Sequence, residues 1–201
     1  MRVQMVVKAI AGLVLFLQLP VPLYWFVVHP QVNYWRRHKR AAYITALTLA
    51  WGTGTLFLLP ARKWLFLPEI RGPGVPFGLA LVGADIYLFR RAMLDLGKER
   101  LMGDAELSGG GEVIRTGIFA HVRNPRYTGS FLAVAGACLL AGTRWMWLTA
   151  AVWGMLMFSA ILLEEREMRM RFGAAYAKYC RQVPRFLPRI WARSTANSIP
   201  R

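Results

Sequence analysis

The stretch Tyr127–Leu163, YTGSFLAVAGACLLAGTRWMWLTAAVWGMLMFSAILL, carries a single charged side chain, Arg144. Gly142-Thr143-Arg144 divides it into two apolar runs, Tyr127–Ala141 and Trp145–Leu163. Apolar runs of this length read as membrane helices, and the turn between them makes the pair a helical hairpin. The hairpin brings Tyr127, where one helix starts, to the same membrane face as Glu164, where the next one ends. Trp145 and Trp147 sit at the opposite tip, where an aromatic belt belongs. The first run has about 15 residues, or about 22 Å of helix, against a hydrocarbon core of about 30 Å. Its start is therefore expected to be recessed below the membrane surface.

Outward from the hairpin, three further apolar segments can be drawn: about Met5–Val28, kinked by Pro20 and Pro22, about Ala41–Leu59, and about Val75–Phe89. The fold expected is an all-α membrane protein of about five transmembrane helices. The 201-residue chain is 56% apolar and only 18% charged, which suits membrane helices better than a soluble core. Arg2 and Lys8 precede the first apolar run, which lacks a small-residue cleavage site, so it reads as a retained helix rather than a signal peptide. Three regions follow: membrane helices in 1–91, a cytoplasmic connector in 92–126, and the hairpin with its tail in 127–201.

The net charge is +16. The basic residues flank apolar runs and form no basic-aromatic stripe, so anionic lipid is the expected partner and nucleic acid is not. With the C-terminus inside, 20 of the 26 lysines and arginines lie on the cytoplasmic side and six outside. This asymmetry places the N-terminus outside and the C-terminus in the cytoplasm. A bacterial inner membrane is the expected location. After Glu165, Met168, Phe172, Ala175, Tyr176 and Tyr179 share one helical face. That describes an amphipathic cytoplasmic helix, capping a pocket or lying on the interface, ended by Pro184 and Pro188.

Two polar clusters meet at this face. In Arg123-Asn124-Pro125-Arg126-Tyr127-Thr128-Gly129, Asn124 is a natural N-cap and Pro125 suits the first helical position. One reading stops at a helix start. The other adds anion binding at the helix N-terminus, aided by the charge of Arg123, the ring of Tyr127 and the open backbone of Gly129. Glu164-Glu165 opposes the helix dipole. The pair is either a solvated helix end matched to Arg166 or Arg169, or a holder of cationic groups. Adjacent helical residues point about 100° apart, so the two need not face one partner. Asp85, inside an apolar segment, is a functional candidate unless it pairs with Arg90 or Arg91. His29, His38 and His121 show no shared metal spacing, and no metal is expected. Cys138 and Cys180 read as packing residues. Ser108-Gly109-Gly110-Gly111 lacks the Lys-Ser/Thr of a phosphate loop and reads as a turn between short extended pieces, Ala105–Leu107 and Glu112–Thr116.

The ordered set Gly117-Ile118-Phe119, Arg123-Asn124-Pro125-Arg126-Tyr127-Thr128-Gly129, Glu164-Glu165, Met168, Phe172–Tyr179 and Val183-Pro184 resembles the isoprenylcysteine carboxyl methyltransferase family. Its relatives include phospholipid N-methyltransferases. The resemblance covers about a third of the chain, Gly117 to Pro188. It implies an S-adenosylmethionine site between the last membrane helices and the tail, with the C-terminal amphipathic helix capping a cofactor pocket. His121, Arg123, Asn124, Pro125, Tyr127, Gly129, Glu164 and Glu165 would bind the cofactor, with Arg123 and Glu165 catalytic. Asn124 stands where many members have histidine, and Phe119 where tyrosine is usual.

The chemistry implied is an in-line displacement from a sulfonium donor, which gains most from alignment. A carboxylate acceptor needs no base, whereas an amine or thiol does. Nothing in the motif announces itself for that task. The acceptor is expected to be lipophilic or a small molecule; Arg123 or Arg181 would hold an acidic one. Tyr127→Ala and Glu165→Gln are each expected to weaken donor binding with little effect on stability. Two other classes remain open, an NADPH-dependent membrane reductase and a non-enzymatic membrane protein with a degenerate cofactor site.

Overall fold

The computed structural model describes residues 2–65, 74–97 and 112–188. The Ser108–Gly111 turn, the extended piece at Ala105–Leu107 and the chain end after Pro188 lie outside them. Among the described residues there is no strand, and residues 112–115 form no regular element. The helices are α1 (Arg2–Gln18), α2 (Val21–Val28), α3 (Val32–Arg37), α4 (Lys39–Leu65), α5 (Gly74–Leu96), α6 (Pro125–Ala141) and α7 (Arg144–Gln182). Short 3₁₀ turns cover His29–Gln31 and Gly117–Ala120. The protein is an all-α membrane protein. Three stretches, Val3–Arg37, Lys39–Leu65 and Arg144–Gln182, are long and apolar enough to cross a bilayer.

The break between α1 and α2 falls at the expected prolines. Pro22 has no N–H to offer the carbonyl four residues earlier, that of Gln18. The indole N–H of Trp153 donates to that carbonyl at 2.8 Å. The last apolar helix thus repairs the defect in the first, as a membrane interior requires. The Pro20 ring packs against α4 at Gly54, where a Cβ would lie 2.7 Å from the ring.

α5 and α6 form the most extensive helix pair and run antiparallel. Gly74 lies by Leu139, Gly78 by Gly136, and Asp85 by Gly129. A Cβ on Gly136 would fall 2.7 Å from the Gly78 carbonyl oxygen. The helices therefore touch backbone to backbone, the small-residue contact that favours association without a hydrophobic driving force.

The hairpin turn forms as read. Gly142 adopts a left-handed conformation (φ 73°) and closes α6. The Thr143 hydroxyl accepts from the Met146 N–H at 3.1 Å and donates to the Leu65 carbonyl at 2.8 Å. This ties the end of α4 to the hairpin tip. At the other end of the bundle, α7 runs past the two glutamates to a kink at Gly173 (φ 51°, ψ −127°), backbone that suits glycine. Beyond the kink Tyr176, Tyr179 and Val183 are buried together against Val113, Met168 and Phe172. The Tyr179 hydroxyl donates to the Phe119 carbonyl at 2.7 Å. Ala175, assigned to the same face, is exposed.

Two expected pairings change. Asp85 does not pair with Arg90 or Arg91: Arg91 faces Asp95 at 3.8 Å. Asp85 faces Gly129, and Arg126 is the cation whose charge acts on it. Glu165 is not a solvated helix end matched to Arg166 or Arg169. It is 3% exposed, while both arginines point outward.

Candidate active site

Glu164 and Glu165 are neighbours on α7 and diverge as helical geometry demands. Glu165 faces the start of α6 and the tail. Its carboxylate accepts from Arg123 at 3.2 Å, from the Asn124 amide at 3.3 Å, and from Arg185 through two bonds of 3.0 and 2.7 Å. The side chains of Arg123 and Glu165 are only 9% and 4% exposed. Arg123 also donates to the Cys180 carbonyl at 2.9 Å. Bonding to Glu165 holds the Arg185 guanidinium still more firmly protonated than usual.

The tail reinforces this arrangement through its backbone. The Arg123 N–H donates to the Pro184 carbonyl at 2.9 Å and the Asn124 N–H to the Arg185 carbonyl at 3.1 Å. The Thr128 hydroxyl reaches the Phe186 carbonyl at 3.1 Å. Residues 184–186 thus roof the beginning of α6. Asn124 occupies the N-cap position without capping through its side chain, because its amide is turned to Glu165. Pro125 fills the first helical position and is buried.

Glu164 faces the other way, into the bundle. It accepts a hydrogen bond from the Tyr127 hydroxyl. Beyond it lies a third carboxylate, Glu167, one helical turn further along. Glu167 takes Nδ1 of His29 at 2.9 Å and Arg36 at 3.0 Å. The end of the first apolar segment and its basic cluster therefore join the site, although sequence reasoning placed none of His29, Arg36, Glu167 and Arg185 there. A histidine at a membrane interface and a carboxylate three residues after Glu164 were the available signals.

The structure joins Arg123, Asn124 and Glu165 in one cluster and Tyr127 and Glu164 in a second. His121 is exposed and makes none of these contacts. Gly129 is buried, and the space beside it is filled by Asp85 rather than left open to a ligand. Arg181 is exposed. The two expected polar clusters touch directly. A large apolar cavity of about 780 Å³ lies elsewhere, among α2, α4 and α7, lined by Leu23, Phe57, Trp64, Trp145 and Trp153. Among the described residues no three His, Cys, Asp or Glu side chains could hold a metal ion.

A buried, charge-rich patch therefore lies on one face of a helical membrane bundle. A family model described as phospholipid methyltransferase matches residues 74–175, half of the chain and all of both motif clusters. The chain belongs to that family, and it is an integral membrane methyltransferase of lipid-related substrates. No curated protein and no solved structure matches it.

Proposed function

We propose that the protein transfers a methyl group from S-adenosylmethionine to a membrane-lipid acceptor at the face shared by Tyr127, Arg123 and Glu164-Glu165. The observation that carries this reading is the chemistry of the two clusters. The donor has an α-carboxylate, an α-ammonium and a sulfonium. The site has arginines at a helix N-terminus for the first and a half-buried carboxylate for a cation. The Nε of Arg123 is buried with no hydrogen-bond partner in the structure, a donor suited to an added carboxylate.

Glu165 is engaged by three protein groups, so its role is to position: it fixes Arg123, Asn124 and the tail. Glu164, held by Tyr127, is the carboxylate suited to the donor's positive charge. Arg123 and Asn124 take the donor's carboxylate, Pro125 starts the helix that presents them, and the tail excludes water. Asp85 fills the space beside Gly129 behind this wall. The acceptor arrives from lipid, and the chain's first task is to align it with the sulfonium methyl. The lysine and arginine asymmetry supports a cytoplasmic site in a bacterial inner membrane, with the N-terminus outside.

Titration calorimetry with S-adenosylhomocysteine tests the donor assignment. One-to-one binding, weakened at least tenfold in Tyr127→Ala, is the expected outcome. Binding of NADPH in place of S-adenosylhomocysteine, or no heat with either, would point instead to a reductase or to a degenerate site.

A further inference from the structure

His29 lies outside the family match and outside the motif clusters, yet it is among the most enclosed polar groups in the protein. Its side chain is 3% exposed. One ring nitrogen, Nδ1, is 2.9 Å from Glu167, whose other oxygen is held by Arg36 at 3.0 Å. The other ring nitrogen, Nε2, is buried with no hydrogen-bond partner among the described residues. Trp25 stacks on the imidazole, with ring centroids 5.0 Å apart and planes 22° apart, and leaves its own Nε1 unpartnered as well. A buried ring nitrogen left without a partner is costly, which calls for a reason.

The surroundings supply one. A carboxylate on Nδ1 fixes the tautomer with the proton on that side and leaves Nε2 as an acceptor. The same carboxylate stabilises the imidazolium once Nε2 takes a proton. Glu164, one helical turn before Glu167, lies within electrostatic reach of the imidazole, which therefore borders the cluster built on Tyr127. The ionisable groups around it are Glu164 and Glu167 from α7, Arg36 from α3, Tyr127 through Glu164, and Arg126 from α6 through its charge on Glu164.

We propose that His29, oriented by Glu167, accepts the proton of a methyl acceptor whose nucleophilic atom carries one. The proposal rests on the methyl-transfer reading above. For a headgroup ammonium the steps balance as follows. Nε2 takes one proton and leaves a neutral amine. The amine lone pair forms the new N–C bond as the C–S bond breaks, with its electron pair going to sulfur. The products are a methylated ammonium and a neutral thioether, and His29 returns its proton to water. A carboxylate acceptor would leave His29 without a task.

The test uses the full-length protein in vesicles containing an aminophospholipid, with label followed from the donor methyl. In His29→Gln and Glu167→Gln, kcat is expected to fall at least about tenfold. That is below the usual 10²–10⁴ contribution of a general base, because interfacial water offers the amine a second proton acceptor. Affinity for S-adenosylhomocysteine should stay within about twofold in both. In His29→Ala, added imidazoles of graded basicity should restore rate in order of their base strength. Unchanged kcat in His29→Gln, or rescue that ignores basicity, overturns the proposal. If wild type binds no S-adenosylhomocysteine, it is the methyl-transfer reading that fails. Should His29→Gln not fold, the Glu167→Gln rate and the imidazole series decide.

Discussion

Glu165→Ala is expected to destabilise the protein by about 3–5 kcal/mol, the usual cost of stranding a buried charge after its partner is removed. Arg123, 9% exposed, would lose its carboxylate, and Arg185 would lose both of its side-chain bonds. The backbone bonds from Arg123 and Asn124 to residues 184 and 185, with the Thr128 hydroxyl on the Phe186 carbonyl, would then be left to hold the tail. Denaturation in mild detergent measures the stability change, and limited proteolysis should nick the variant after Val183. Donor binding should be lost with the tail. A change below about 0.5 kcal/mol would mean that the cluster behaves like a solvent-exposed ion pair. The sequence alone leads one to expect little loss of stability in Glu165→Gln. The burial of Glu165 among Arg123, Asn124 and Arg185 argues for a larger loss.

Glu164→Gln should behave in the opposite way. It keeps the shape of the side chain and an acceptor for the Tyr127 hydroxyl, so the folded protein should lose little. It removes the negative charge assigned to the cationic donor. A charge-assisted hydrogen bond contributes about 1.5–3 kcal/mol, which converts to a loss of donor affinity of about 10–100-fold. Calorimetry with S-adenosylhomocysteine on Glu164→Gln and wild type reads this directly. Equal affinities would remove Glu164 from the donor site. The proposed contrast between adjacent glutamates, one structural and one ligand-facing, draws on their roughly 100° angular separation.

Much of the bundle was legible before the structure. The proline break near Pro20, the hairpin turn at Gly142 and the helix start at Pro125 are written in residues whose backbone chemistry is local. The contacts that complete the site were not. His29 and Glu167 are 138 residues apart, and no spacing links them. Arg185 sat in a tail whose many arginines all looked alike. Asp85 shows the same limit: hydropathy gives depth in the membrane but not rotation about the helix axis. Its position about one turn from Arg90 suggested a partner, whereas packing through Gly78 and Gly136 turns it toward Gly129. The Asn124 side chain was read by position as a cap, and a buried carboxylate from another helix claimed it instead.

Transfer of labelled methyl from S-adenosylmethionine to extracted membrane lipid, with the purified protein in vesicles, tests the central claim most directly. The account predicts label in the organic phase, abolished by S-adenosylhomocysteine and strongly reduced in Glu164→Gln. Label that stays entirely in the aqueous phase, with protein that is folded and binds S-adenosylhomocysteine, would contradict a membrane-lipid acceptor.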